Sequence, residues 1–97
     1  MMSEHFYIVA YDISNSKRWR KVYKTMKGYG AWLQLSVFQC RLDKIKYLKM
    51  ESQLKEIVNH AEDHIIIVDI GPAQSIKPRV RSIGKAFEPV RCQSIIV

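Results

Sequence analysis

Apolar residues fall into a few short stretches whose spacing alternates between strand-like and helix-like periods. Residues 6–13 read FYIVAYDI, apolar on both alternating faces until Asp12. That pattern predicts a strand at the centre of a sheet or covered on both sides. Ser14, Asn15 and Ser16 form a helix-start cluster. Trp19, Val22, Tyr23 and Met26 follow at i, i+3, i+4 and i+7, one face of a helix that Gly28 and Gly30 stop. Residues 31–42, AWLQLSVFQCRL, are rich in strand formers and read as one long strand or as two short ones reversing near 34–36. Asp43 is placed to cap a second helix, striped by Tyr47, Met50, Leu54 and Ile57 and ending near 59–61. Residues 64–70, HIIIVDI, are the most strand-like of all, and Gly71-Pro72 reads as the turn after them. Residues 73–80 are polar and read as a loop, 80–87 as a short strand, and 90–97, VRCQSIIV, as a final strand. The order predicts a single α+β domain over residues 1–97, a βαββαβ sandwich with added C-terminal strands.

Composition narrows the class. A chain of 97 residues that is 47% hydrophobic holds one folded domain, with a thin core. A second copy would be an economical way to thicken it. The two cysteines, Cys40 and Cys92, lie in apolar strand-like runs and make neither a disulfide framework nor a zinc site. They suit a reducing compartment. No signal-peptide core and no apolar run long enough to span a membrane is present, so the expected location is the cytoplasm, away from membranes. Sixteen Lys and Arg against nine Asp and Glu give a net charge of +7, which favours polyanionic partners.

Asp12 breaks the apolar pattern at the end of the first strand. A carboxylate there either ligates a cation or caps the following helix. After it come Lys17, Arg18, Arg20, Lys21, Lys24 and Lys27, with no acid before Asp43. Cations in a first helical turn oppose the macrodipole, so this arrangement suits an anion such as phosphate. Arg79, Arg81 and Lys85 form a second, weaker basic cluster. One carboxylate is a poor Mg²⁺ site, but two copies of Asp12 facing each other across a two-fold axis would suit one ion. Asp69 is a further carboxylate, read as stabilising the turn beside it. His60, Glu62, Asp63 and His64 do not match a zinc-ligand spacing and read as a polar turn. Trp19, Tyr23 and Trp32 read as core, and Phe38 as core or as a base-stacking ring.

Three stretches taken together, YIVAYDIS at 7–14, KRWRKVYKTMKGYG at 17–30 and LQLSVFQCRL at 33–42, resemble the small CRISPR-associated (Cas) family two proteins. The resemblance continues through HIIIVDIGP and is loose beyond Gly71. It implies a ferredoxin-like fold and a homodimer in which the C-terminal strand, here 90–97, packs on the partner's sheet. It implies a role in spacer acquisition beside the Cas family one integrase. Some members are described as Mg²⁺-dependent endonucleases acting on single-stranded RNA or duplex DNA. Their metal-binding and catalytic aspartate corresponds to Asp12, the adjacent tyrosine to Tyr11, basic residues of the first helix to Arg18 and Arg20, and a phenylalanine to Phe38. Lys17, Lys21 and Lys24 complete the expected nucleic-acid contacts. Family members often carry an arginine where this chain has Trp32 and Leu33. Two other readings accompany this one: a non-catalytic DNA-binding scaffold for the integrase, and a toxin-type endoribonuclease of a toxin–antitoxin pair.

Overall fold

The computed structural model describes residues 3–84. The expected strand at 90–97, the end of the one at 80–87, Lys85 and Cys92 lie outside the described residues. The elements are β1 (His5–Asp12), α1 (Ser16–Lys27), β2 (Gly30–Gln34), β3 (Val37–Leu42), α2 (Lys44–Ile57) and β4 (His64–Pro72). They form one antiparallel sheet in the order β2-β3-β1-β4, the ferredoxin-like arrangement. β1 is central because its residues bond to β3 on one side and β4 on the other.

The alternation along β1 sorts its side chains between two environments. Val9, Tyr11 and Ile13 point to the helices and are buried with Val22 and Met26 of α1 and Met50 and Leu54 of α2. Phe38, Cys40 and Leu42 of β3 complete this core. Tyr7 stacks on Tyr47 of α2, ring centroids 4.8 Å apart. Both helical stripes therefore do what their spacing predicts: they cover one face of the sheet.

The stretch at 31–42 is two strands. The chain reverses at Leu35 and Ser36, where Leu35 takes a φ of 39° without being glycine. Two bonds hold this costly backbone in place: Trp32 Nε1–H donates to the Leu35 carbonyl at 2.8 Å, and Tyr11 N–H to the Ser36 carbonyl at 3.0 Å. Gly71-Pro72 does not turn the chain but ends β4, and the turn comes at 73–75. Gly71, at φ 131°, lets β4 carry an irregular register opposite Phe6 and Tyr7. Residues 76–84 contain no regular element, so the strand expected from residue 80 does not begin there.

The described residues leave part of the other face of the sheet uncovered, although Gln39 and Ala31 are buried there. Phe6 is buried on it, beneath the segment containing Ile76, Pro78 and Val80, and Arg41 lies over its ring at 5.7 Å. Further along, Ile8 pairs with Val68 and Ala10 with Ile66, and those two β4 residues are half exposed. Asp12 ends this row.

Candidate metal and nucleic-acid site

Asp12 is the last residue of β1, paired in the ladder with His64. Its side chain is exposed and has no hydrogen-bond or ion-pair partner among the described residues. It does not cap α1. That role belongs to Asn15, whose Oδ1 accepts from Lys17 N–H at 3.0 Å and Arg18 N–H at 2.9 Å. The helix-start N–H groups expected to bind phosphate are thus already engaged. Asp12 is left as a free carboxylate on the bare face, adjoining exposed apolar residues.

The basic residues of α1 separate into two groups. Lys17, Arg20, Lys21, Lys24 and Lys27 are exposed on the side of the helix opposite Val22 and Met26. No carboxylate among the described residues pairs with them. They form an unbalanced cationic ridge on the outer surface of the helix layer, across the sheet from Asp12. Arg18 is the exception. Its Nε–H donates to Asp63 Oδ2 at 2.7 Å, and its Nη2 donates to Asp63 Oδ1 at 3.2 Å and Glu62 Oε1 at 3.1 Å. Its guanidinium serves an internal carboxylate rather than an outside phosphate.

Two further expectations change for a related reason. Phe38 is fully buried, with its ring against Tyr11 and Tyr23, so no face of it is open to a base. Tyr11 is also buried, and its hydroxyl has no hydrogen-bond partner among the described residues. Burial, with Tyr23 nearby, pushes that phenol well above its usual range. Both are core residues of the sheet's helix side. Trp19 and Tyr23 stack with centroids 5.3 Å apart at the edge of the same core, and Trp19 Nε1–H donates to Ser36 Oγ.

Asp69 is remote from Asp12. It lies opposite Tyr7, about five rungs of ~3.4 Å along the strand, and is bonded to His5 Nδ1 at 2.9 Å. His60 Nε2 lies 3.1 Å from the Lys55 carbonyl, while His64 is exposed on β4. Among the described residues no three metal-ligating side chains cluster. Arg79 and Arg81 line a groove with Arg41, Lys77 and Phe6, at the end of the bare face away from Asp12.

Sequence reasoning missed Asp63. Its side chain is closed to solvent, and it also accepts from Asn59 N–H at 2.9 Å. The Arg18 bond, with the backbone N–H groups of Asn59 and Ser14, holds its carboxyl below the usual carboxylate value. The only signal in the chain was an acidic pair directly before an apolar strand, a pattern that turns also produce.

Residues 5–77 match the family model described as CRISPR associated protein Cas2. The chain belongs to this family. It is 63% identical over 94 residues to a CRISPR-associated endoribonuclease Cas2 of Geobacter sulfurreducens, covering 97% of this chain and 99% of that protein. It is 52% identical over 95 residues to a CRISPR-associated endoribonuclease Cas2 1 of Rhodospirillum rubrum, covering 98% and 93% respectively. A crystal structure described as that of Cas2 superposes with a TM-score of 0.73 at 33% identity, over 94% of this chain and 99% of that one. The Streptococcus pyogenes Cas2 structure at pH 6.5 gives 0.69 at 28% identity, over 81% and 99%. Family membership favours the CRISPR-associated reading over a toxin–antitoxin ribonuclease. No helix among the described residues is long and apolar enough to cross a membrane.

Proposed function

We propose that this chain is a metal-dependent endonuclease subunit of a CRISPR adaptation system, working as a homodimer with Asp12 at its centre. The observation that carries the proposal is the isolation of Asp12. A carboxylate without a partner among the described residues ends a central strand and stands on an apolar face that these residues leave half exposed. A sheet face of that kind is normally covered, and a second copy is the cover that brings two Asp12 side chains towards one axis. The endoribonuclease activity named for the two relatives supports the same reading.

The residues present suit Mg²⁺ only as a pair. One Asp12 from each copy would supply hard oxygen ligands to the cation, leaving its other positions to water and a substrate phosphate. When bound, the cation lowers the pKa of a water and offsets charge on the phosphodiester. The chain's own contribution is to hold the two carboxylates without competing partners. The α1 ridge of Lys17, Arg20, Lys21 and Lys24 attracts the phosphate backbone without reading sequence. Expected partners are a second copy, RNA or DNA, and the Cas family one integrase, in the cytoplasm.

One observation favours the scaffold as a second reading. The ridge lies on the helix layer and Asp12 on the opposite face of the sheet, so duplex gripped by the ridge does not lie against Asp12. A cleavage assay separates the two readings. Single-stranded RNA and duplex DNA are offered to wild type and Asp12→Asn, each with Mg²⁺ or EDTA. The proposal expects cleavage that needs Mg²⁺ and is lost in the variant. Intact, salt-sensitive binding without cleavage by either protein would establish the scaffold instead.

A further inference from the structure

Asp12 has no side-chain partner among the described residues, so its placement depends on the backbone that carries it. A single buried carboxylate ties together the segments that flank that backbone. Asp12 and His64 form the last rung between β1 and β4. Asp63 immediately precedes His64, and Ser14 lies two residues beyond Asp12. The Asp63 carboxylate accepts from Arg18 in the first turn of α1 and from the Asn59 N–H in the turn before β4, and the Ser14 N–H of the β1–α1 turn helps lower its pKa. The start of α1 and the turn into β4, the segments that flank the Asp12–His64 rung, are tied to these two oxygen atoms. Arg18 is itself fixed from the other side, because its own N–H donates to Asn15 Oδ1.

We infer that Asp63 and Arg18 are positioning residues for Asp12, holding the end of β1 in the orientation that metal binding requires. This rests on the reading of Asp12 as a metal ligand. A buried ion pair adds little stability over an apolar pair of the same volume, but it specifies one geometry closely. Ligands need placement within ~0.5 Å, and loss of the groups that orient them lowers metal affinity by about 10–100-fold. The arrangement also gives Arg18 a role different from phosphate contact: it acts through Asp63, on the carboxylate side of the sheet end.

The test compares wild type, Asp63→Asn, Arg18→Lys and Glu62→Gln at a temperature where circular dichroism shows each folded. Mn²⁺ affinity is measured by the relaxation of water protons, Mg²⁺ dependence by cleavage, and backbone order by the NMR resonances of Asp12, Ile13 and His64. Asp63→Asn is expected to weaken Mn²⁺ binding about tenfold or more, to raise the Mg²⁺ needed for cleavage, and to shift those resonances. Arg18→Lys should fall between it and wild type. Glu62→Gln, which removes only the exposed arm of the network, should match wild type. Wild-type metal affinity in folded Asp63→Asn would overturn the inference. If Asp63→Asn does not fold, Arg18→Lys decides, and unchanged affinity in it has the same meaning. If wild type binds no Mn²⁺ at Asp12, the metal reading itself fails, and the NMR arm then judges positioning alone. Unmoved Asp12 and Ile13 resonances in the variants would refute it, and shifted ones would sustain it.

Discussion

Phe38 and Cys40 stand on β3 with no exposed surface, and what they do follows from that burial. Phe38→Ala removes a ring from between Tyr11 and Tyr23 and should cost about 3–5 kcal/mol, read as a lower urea midpoint. The folded variant should keep wild-type affinity for RNA. Weakened binding without lost stability would return Phe38 to the interface. Burial also pushes the Cys40 thiol up to about 12. In a Cys92→Ser background, Cys40 should therefore resist iodoacetamide at pH 8 and react fully in urea, as counted by mass spectrometry. Asp12→Asn sits at the other extreme. The side chain is exposed and partnerless among the described residues, so stability should change by no more than about 0.5 kcal/mol while metal-dependent cleavage is lost. The place of Asp12 at the end of β1 was legible in the sequence because a charge interrupts an apolar strand. Phe38 was legible as core or platform but not as one of them, because both want an aromatic ring beside polar residues. Only the pairing of β3 with β1 decides which way it points.

At the scale of elements, α1 carries two different electrostatic functions on two sides. Its outer ridge should govern backbone binding. Replacing Lys17, Arg20, Lys21 and Lys24 by Gln should lower affinity and flatten the dependence of log K on log salt by about 0.9 per lost duplex contact, measured by fluorescence anisotropy. Its inner side carries the Arg18–Asp63 pair, which makes a different prediction. The Asp63 pKa is depressed in the folded state, below its ordinary 3.8. Its contribution to stability is then complete above the unfolded value and is lost as pH falls through the folded one. Wild type should lose thermal stability as pH falls below about 4, and Asp63→Asn should show a shallower fall over the same range. Equal slopes would mean that the pair is not formed in solution. The helices themselves were readable from their stripes, since period and burial agree for Val22, Met26, Met50 and Leu54. The Arg18–Asp63 pair was not, because it joins residues 45 positions apart and no local pattern encodes such a distance. The hairpin was half readable: its strand formers were visible, but Leu35 at positive φ is held by the Trp32 side chain and by the bond from Tyr11 to Ser36 rather than by a turn-forming sequence.

For the whole molecule, the bare sheet face is the feature that joins fold to activity. The apolar residues on both faces of β1 announced a strand covered on two sides or at the centre of a sheet, and β1 is central. The described chain covers one side with helices; on the other Phe6, Gln39 and Ala31 are buried while Ile66 and Val68 are half exposed. Ile66→Asp, placed in the half-exposed row, should convert a dimer to a monomer in light scattering and abolish cleavage while leaving the circular dichroism spectrum intact. A variant that stays dimeric would move the interface elsewhere. The claim on which the rest depends is that two copies of Asp12 share one cation, and counting that cation tests it most directly. Electron paramagnetic resonance of Mn²⁺ titrated into wild type, Asp12→Asn and Ile66→Asp should find one tightly bound ion per two wild-type chains and none in either variant. One ion per chain, or an ion retained by the monomeric variant, would contradict the shared site.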